Sequence, residues 1–332
     1  MDRKPLETLI ALLAAVGVVG VMVGAVLLVG GGDERHAARY AAPPATAEHP
    51  PPDPEPERES APEPALFPPA LVTKIDAGGS QVRHVGLGSS DAIYVQPVEG
   101  GLTRLLSVHW GERPDVLGPV RSARETDIEL LGQFTDAVYA YSGSASQLAG
   151  PLADSGLTTV APHHSNAFYR DGSRPSPHNL YVRPGRLPGT PAAAEPFPTG
   201  APPSGGEPVD SYRVAYQSAS YDFAWSGDRD GWLVSMNGSP FTSAEYGRLD
   251  AGTVVVLRVP IEAGLGITDS TGSLSPVART VGQGAAAVLR DGRAYQGSWA
   301  RDGANEPLRL VTGGGDPIPL GEGRLWVLLV PA

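Results

Sequence analysis

The side chains best suited to chemistry in this sequence fall in two short stretches. Val98–Arg124 reads VEGGLTRLLSVHWGERPDVLGPVRSAR and holds Glu99, the pair Gly100-Gly101, Arg104, and then Arg121 and Arg124. The second stretch is Pro177-His178-Asn179-Leu180-Tyr181. Arginine presents a planar fork of donors that suits a carboxylate or a phosphate. Arg104, Arg121 and Arg124 therefore predict an anion site, and neighbouring glycines let backbone N–H groups approach the same anion. Glu99 can exchange a proton or orient an arginine, although an acid before two glycines also marks a tight turn. His178 is the best-placed imidazole for proton exchange near neutral pH. Asn179 can fix its tautomer, hold a ligand, or lock a loop through bonds to the backbone. The arginines have an internal alternative as well, Arg104 with Glu99 and Arg124 with Asp76 or Asp127, because buried arginine is rare unless paired.

Other chemistries lack their residues. There is no cysteine, so a disulfide framework, a thiolate metal site, a catalytic thiol and a lipid-modified cysteine are all excluded. His163-His164 has no third ligand at a recognisable spacing, and no metal is expected. Ser122 and Ser142 lie outside any G-x-S-x-G elbow. Gly86-Leu87-Gly88 falls short of a dinucleotide fingerprint, and no cofactor is expected. Tyr221, Trp225 and Trp232 can stack on sugars, but their period-2 spacing fits sheet core.

Short apolar runs must position these groups. Strands are expected at Ala70–Ile75, Ala92–Val95, Leu102–Trp110 and Asp136–Tyr141, with helices at Thr126–Phe134, capped by Thr126, and at Ser144–Leu152. After a break rich in proline and glycine, strands are expected at Tyr212–Gln217, Tyr221–Trp225, Trp232–Met236, Thr253–Val259, Ala285–Arg290, Arg293–Trp299 and Arg324–Val330. Asp291-Gly292 has the composition of a two-residue hairpin turn. The pattern predicts an α+β fold, with a mixed α/β layer domain over 70–188, a connector over 189–209 and a β-rich domain over 210–332.

The chain has 332 residues and a net charge of −11. An acidic balance argues against nucleic acid as a partner. Leu9–Val29 is an uncharged run long enough to span a bilayer as a helix. Arg3 and Lys4 before it place the N-terminus in the cytoplasm and the main domain outside. Residues 1–30 are thus expected to form a single-pass signal-anchor, and Gly20 and Gly24 could pair two such helices as a dimer. Residues 31–69 are rich in proline and glutamate and predict a disordered linker.

Several segments carry a family likeness. They are Lys74-Ile75-Asp76, Gly86-Leu87, Asp91-Ala92-Ile93, Val98–Arg104, Gly118–Arg124, Pro177–Tyr181, Gly282–Gly303 and Gly321–Pro331. From about residue 70 to the end, the chain resembles the bacterial YerB-like lipoprotein family, which pairs an N-terminal and a C-terminal domain of unknown function. It departs from the family pattern at Ala77, at Arg83-His84-Val85 and at Gln96, where the family usually carries other polar residues. The resemblance implies an extracytoplasmic cell-envelope protein, here with a membrane helix in place of the lipid anchor. Arg104, Arg121, Arg124, Glu99, His178 and Asn179 are the candidate ligand-binding residues. Their expected role is to bind an anionic or glycan-like envelope ligand, or a partner protein, without catalysis. Two alternatives stay open, an envelope enzyme of phosphoryl or glycopolymer transfer and a structural scaffold.

Overall fold

The apolar runs form strands because each can bury both of its faces. The computed structural model describes residues 69–78, 82–134, 136–189 and 198–332. Its first elements are β1 (Leu71–Asp76), β2 (Ala92–Pro97), β3 (Thr103–His109), α1 (Glu125–Leu131), β4 (Val138–Ala140), α2 (Ala149–Asp154), β5 (Thr158–Val160), β6 (Phe168–Arg170) and β7 (Leu180–Val182). From residue 198 onward come β8 (Ser211–Ala215), β9 (Ser220–Ser226), β10 (Gly231–Met236), β11 (Thr253–Val259), β12 (Gly282–Arg290), β13 (Arg293–Arg301), β14 (Arg309–Thr312) and β15 (Leu325–Pro331).

One large sheet runs in the order β14-β13-β12-β11-β15-β2-β3-β1-β4-β5, and Glu207–Pro208 adds a further strand beside β13. The last strand, β15, inserts parallel to both β11 and β2. β3 lies antiparallel between β2 and β1, and β4 continues the sheet parallel to β1. A smaller antiparallel sheet is built on β8, β9 and β10.

Alternate residues of the central strands feed two cores. Val72, Tyr94, Leu106, Val327 and Leu329 pack on one face with Leu130 and Leu131 of α1. Ile75, Ile93, Leu105, Trp326 and Leu328 pack on the other with Tyr221, Phe223, Trp232 and Val234 of the smaller sheet. A sheet covered on both faces needs continuous apolar strands rather than alternation, as in the run LWVLLV of β15. Asp291 and Gly292 take φ of 52° and 69°, the positive values that a two-residue hairpin turn of this type needs.

The fold is mostly β, and this corrects the α+β expectation. The described residues contain two α-helices, of seven and six residues, which do not make a mixed α/β layer. α1 ends at Leu131 rather than Phe134, with Gly132 as its cap. Any Cβ on Gly132 would lie 2.6 Å from the carbonyl oxygen of Ala304, so the chain turns there against a neighbouring loop. α1 also starts one residue early, with Arg124 as the cap residue. Thr126 has a different task, accepting the N–H of Ala278 at 2.9 Å. The membrane helix expected over Leu9–Val29, including Gly20 and Gly24, lies outside the described residues. Among those residues no helix is long and apolar enough to cross a membrane.

Trp326 joins the two sheets. It is fully buried and contacts Tyr221, Phe223 and Phe241 at ring-centroid separations of 6.2, 5.9 and 5.7 Å. Removing a buried aromatic loses its transfer energy and leaves a cavity. Trp326→Ala is therefore expected to cost about 3–5 kcal/mol in urea unfolding followed by circular dichroism. A loss well under that range would mean that this ring does not hold the layers together.

Candidate functional site

Register brings the charged groups to one end of the large sheet. Arg104, at the start of β3, is the direct cross-strand neighbour of both Asp76 on β1 and Gln96 on β2. Asp76 and Gln96 stand at or near the carboxyl ends of their strands. Open sheets with parallel strands form their ligand crevices outside such ends.

Beneath this row lies a fully buried ion pair. Lys74 Nζ sits 2.7 Å from Asp127 Oδ1, and neither side chain is exposed. Asp127 also accepts from Gln96 Nε2 at 2.7 Å, from Tyr139 Oη at 2.5 Å and from the Arg124 backbone N–H at 2.7 Å. One carboxylate therefore ties β1, β2, β4 and the start of α1 together. Burial pushes the Lys74 ammonium down to about 8, against the attraction of Asp127.

Asp76 is the centre of the row. Its side chain is 2% exposed, and it meets Arg104 Nη1 at 3.5 Å, Arg121 Nε at 3.4 Å and His178 Nδ1 at 2.6 Å. The backbone explains how they converge. Arg104 arrives from β3, on one side of β1. On the other side, the Gly118–Arg121 segment lies against β1, where the Asp76 N–H donates to Pro119 and the Arg121 N–H donates to Lys74, at 2.9 and 2.8 Å. Gly118 is required there, since a Cβ would lie 2.7 Å from the Tyr181 ring. His178 comes from the loop between β6 and β7. His84 supports Asp76 from behind, donating from Nε2 to its carbonyl at 2.8 Å.

Arg124 and Glu99 form a separate pair. Arg124 Nη2 donates to Glu99 Oε2 at 2.8 Å, and its Nε lies 2.7 Å from Oε1. Arg124 Nη1 donates to the carbonyls of Ser122 and Ala123. Burial pushes the Glu99 carboxyl up, but hydrogen bonds and charge from Arg124, with a further bond from Ser275, hold it below the usual glutamate range. A cavity of about 240 Å³ opens beside this pair, lined by Glu99, Ser122, Arg124, Ser144, Asp269 and Ser275.

The guanidinium groups differ in what they have left to give. Arg124 Nη1 and Nη2 are taken up by carbonyl and carboxylate oxygens. Arg121 makes only long contacts, to Asp76 and to the Pro177 carbonyl at 3.4 Å, and its side chain is 22% exposed. Arg104 donates to the Thr103 carbonyl at 2.9 Å and faces Asp76. Burial holds Arg104 below the usual arginine value; Asp76 opposes this, and the nearby charges of Arg121 and Arg124 reinforce it.

Five of the six residues singled out from the sequence thus meet here: Arg104, Arg121 and His178 around Asp76, and Arg124 with Glu99 alongside. Asn179 does not join them. Its side chain accepts from Arg170 at 2.8 Å and reaches back to carbonyls of its own loop. Internal pairing also occurs, with exchanged partners, since Glu99 takes Arg124 and Asp76 takes Arg104. Gly100 and Gly101 form the turn between β2 and β3 at φ of 66° and 68°, and their carbonyls accept from Ser218. The sequence did not single out Lys74, Gln96 or Tyr139 as parts of the site, and it offered Asp76 and Asp127 only as partners of Arg124. A usable signal was Lys74, a lysine inside an apolar run in a sequence with one other lysine.

The chain belongs to a two-part protein family of unknown function. Residues 59–195 match the N-terminal domain of that family, DUF3048, and residues 212–327 match its C-terminal domain. A putative lipoprotein, YerB of Bacillus subtilis, is 35% identical over 104 residues, which span 29% of this chain and 30% of that protein. The crystal structure of YerB from Bacillus subtilis superposes with a TM-score of 0.67 at 17% identity, covering 80% of this chain and 92% of that one. At that identity the superposition establishes a shared fold.

Breaking a buried ion pair from one side leaves the other charge unpaired. Lys74→Met is expected to cost about 3–5 kcal/mol in urea unfolding. The pH dependence has a definite sign. The folded value of Lys74, about 8, lies below its unfolded value of 10.5. The unfolded chain therefore holds more protons between those values, and stability rises with pH across that window. Lys74→Met should remove the rise, and an unchanged slope would show that Lys74 does not titrate as described.

Proposed function

We propose that this protein is an extracytoplasmic envelope protein that binds the anionic group of a ligand, a carboxylate or a phosphate, at Arg104, Arg121 and His178. One observation supports this reading above the others: two guanidinium groups and an imidazole share the single carboxylate of Asp76. Two fixed positive charges against one negative leave a positive excess in a largely buried place. Unbalanced buried charge is costly, and an incoming anion supplies the missing partner. Arg121 and His178 are 22% and 28% exposed, enough to meet it from solvent. Arg124 and Glu99 hold the neighbouring wall in place. The name of the putative lipoprotein relative supports a place at the membrane, outside the cytoplasm.

Inorganic pyrophosphate is a suitable probe, because its paired oxygens match the guanidinium fork. Calorimetric titration of the full chain is expected to give saturable binding that weakens at least about tenfold, or ~1.4 kcal/mol, in Arg121→Ala. Asn179→Ala should bind like the parent. Absence of binding, or equal binding by Arg121→Ala, would refute the assignment.

A further inference from the structure

The end of the large sheet away from Asp76 holds a bigger cleft, of about 720 Å³. It opens at the amino ends of β2 and β15, between Ser90-Asp91 and Arg324-Leu325. Its volume is that of a small-molecule site. Its charge is opposite in sense to the Asp76 site, since Asp91, Asp230, Asp250 and Glu322 outnumber Arg229 and Arg324 along its wall. An anion is therefore disfavoured there.

Tyr246 is the distinctive feature of this cleft. Its side chain is 47% exposed, yet the ring is held in place. The Arg324 guanidinium lies 4.9 Å from the ring centroid. Arg324 itself is 7% exposed and donates to the Ser90 carbonyl at 3.1 Å, to the Asp250 carbonyl at 3.0 Å, to Asp250 Oδ1 at 2.9 Å and to the Gly88 carbonyl. Gly88 packs so closely under the tyrosine that a Cβ there would lie 2.4 Å from Tyr246 Cβ. The ring is thus a platform set before any ligand arrives, which lowers the ordering cost of binding.

The rest of the wall suits hydroxyl groups. Asp230 and Glu322 make no ion pair among the described residues and are strong acceptors. Thr199 adds a hydroxyl that both donates and accepts, while the Ser89 and Ser90 hydroxyls bond to the Gly86 carbonyl and to Ser107 Oγ. A cation would need only the carboxylates. A ligand that lays an apolar ring face on an aromatic platform and donates hydroxyls to unpaired carboxylates is a neutral sugar.

We propose that this cleft is a second binding site, for a short neutral glycan, with one pyranose ring on Tyr246 and its hydroxyls on Asp230 and Glu322. The test is saturation-transfer NMR and calorimetry on the full chain with two neutral probes, chitotriose and cellotriose. At least one should bind saturably. Tyr246→Ala should weaken that binding at least about tenfold, and Tyr246→Phe, which keeps the ring, should restore it. Arg121→Ala should leave it unchanged, so this site and the anion site fail or succeed separately. Binding of neither sugar, equal binding by Tyr246→Ala, or saturation by spermidine in place of both sugars overturns the proposal.

Discussion

The buried carboxylate of Asp127 is the interaction on which the rest of the site depends. Desolvating a carboxylate is affordable only when its lone pairs are filled, and here four donors fill them. Three come from strands of the large sheet, Lys74, Gln96 and Tyr139, and the fourth is the backbone N–H that starts α1. The helix is seven residues long and too short to be stable alone. Its place is set by this polar contact together with Leu130 and Leu131 in the core. Fixing the start of the helix fixes Arg124, and Arg124 in turn grips Glu99 at the turn between β2 and β3.

The same strand that supplies Lys74 supplies Asp76 two residues later, on the same face of the sheet. Both positions would ordinarily be apolar. Lys74 is matched one to one with a carboxylate, and its charge is closed off from solvent. Asp76 is shared between two guanidinium groups and an imidazole at the rim, so two fixed positive charges face one negative. Both carboxylates are buried; what separates them is the exposure of their partners, none for Lys74 against 22% and 28% for Arg121 and His178.

Individual elements were legible in the sequence because strand length and apolar content are local properties. Thr253–Val259 and the Asp291-Gly292 hairpin form as expected. The class of the fold was less legible. Ile128, Leu130, Leu131 and Phe134 have helical spacing, but the helix stops at Leu131, where Gly132 packs against Ala304, and no local pattern announces a neighbour from residue 304. The joining of β15 to β2 is likewise invisible, since it links residues more than 200 apart. At the site, arginine and glycine spacing drew attention to the right segments, because those residue types are unusual together. The carboxylates that organise them, Asp76 and Asp127, were expected only as partners of Arg124; register and burial instead give Asp127 to Lys74 and Asp76 to Arg104 and Arg121. Gln96 and His84 contact Asp127 and the Asp76 carbonyl, and neither role is visible in the sequence.

Around Asp76 two guanidinium charges face one carboxylate, and anion binding is the proposal to test. Soaking crystals in selenate and locating the selenium by anomalous scattering tests it most directly. The account expects a peak within hydrogen-bonding distance of Arg121 and Arg104 at the carboxyl ends of β1 and β2. Selenate bound elsewhere, with no peak at those guanidinium groups, would show that Asp76 satisfies them by itself.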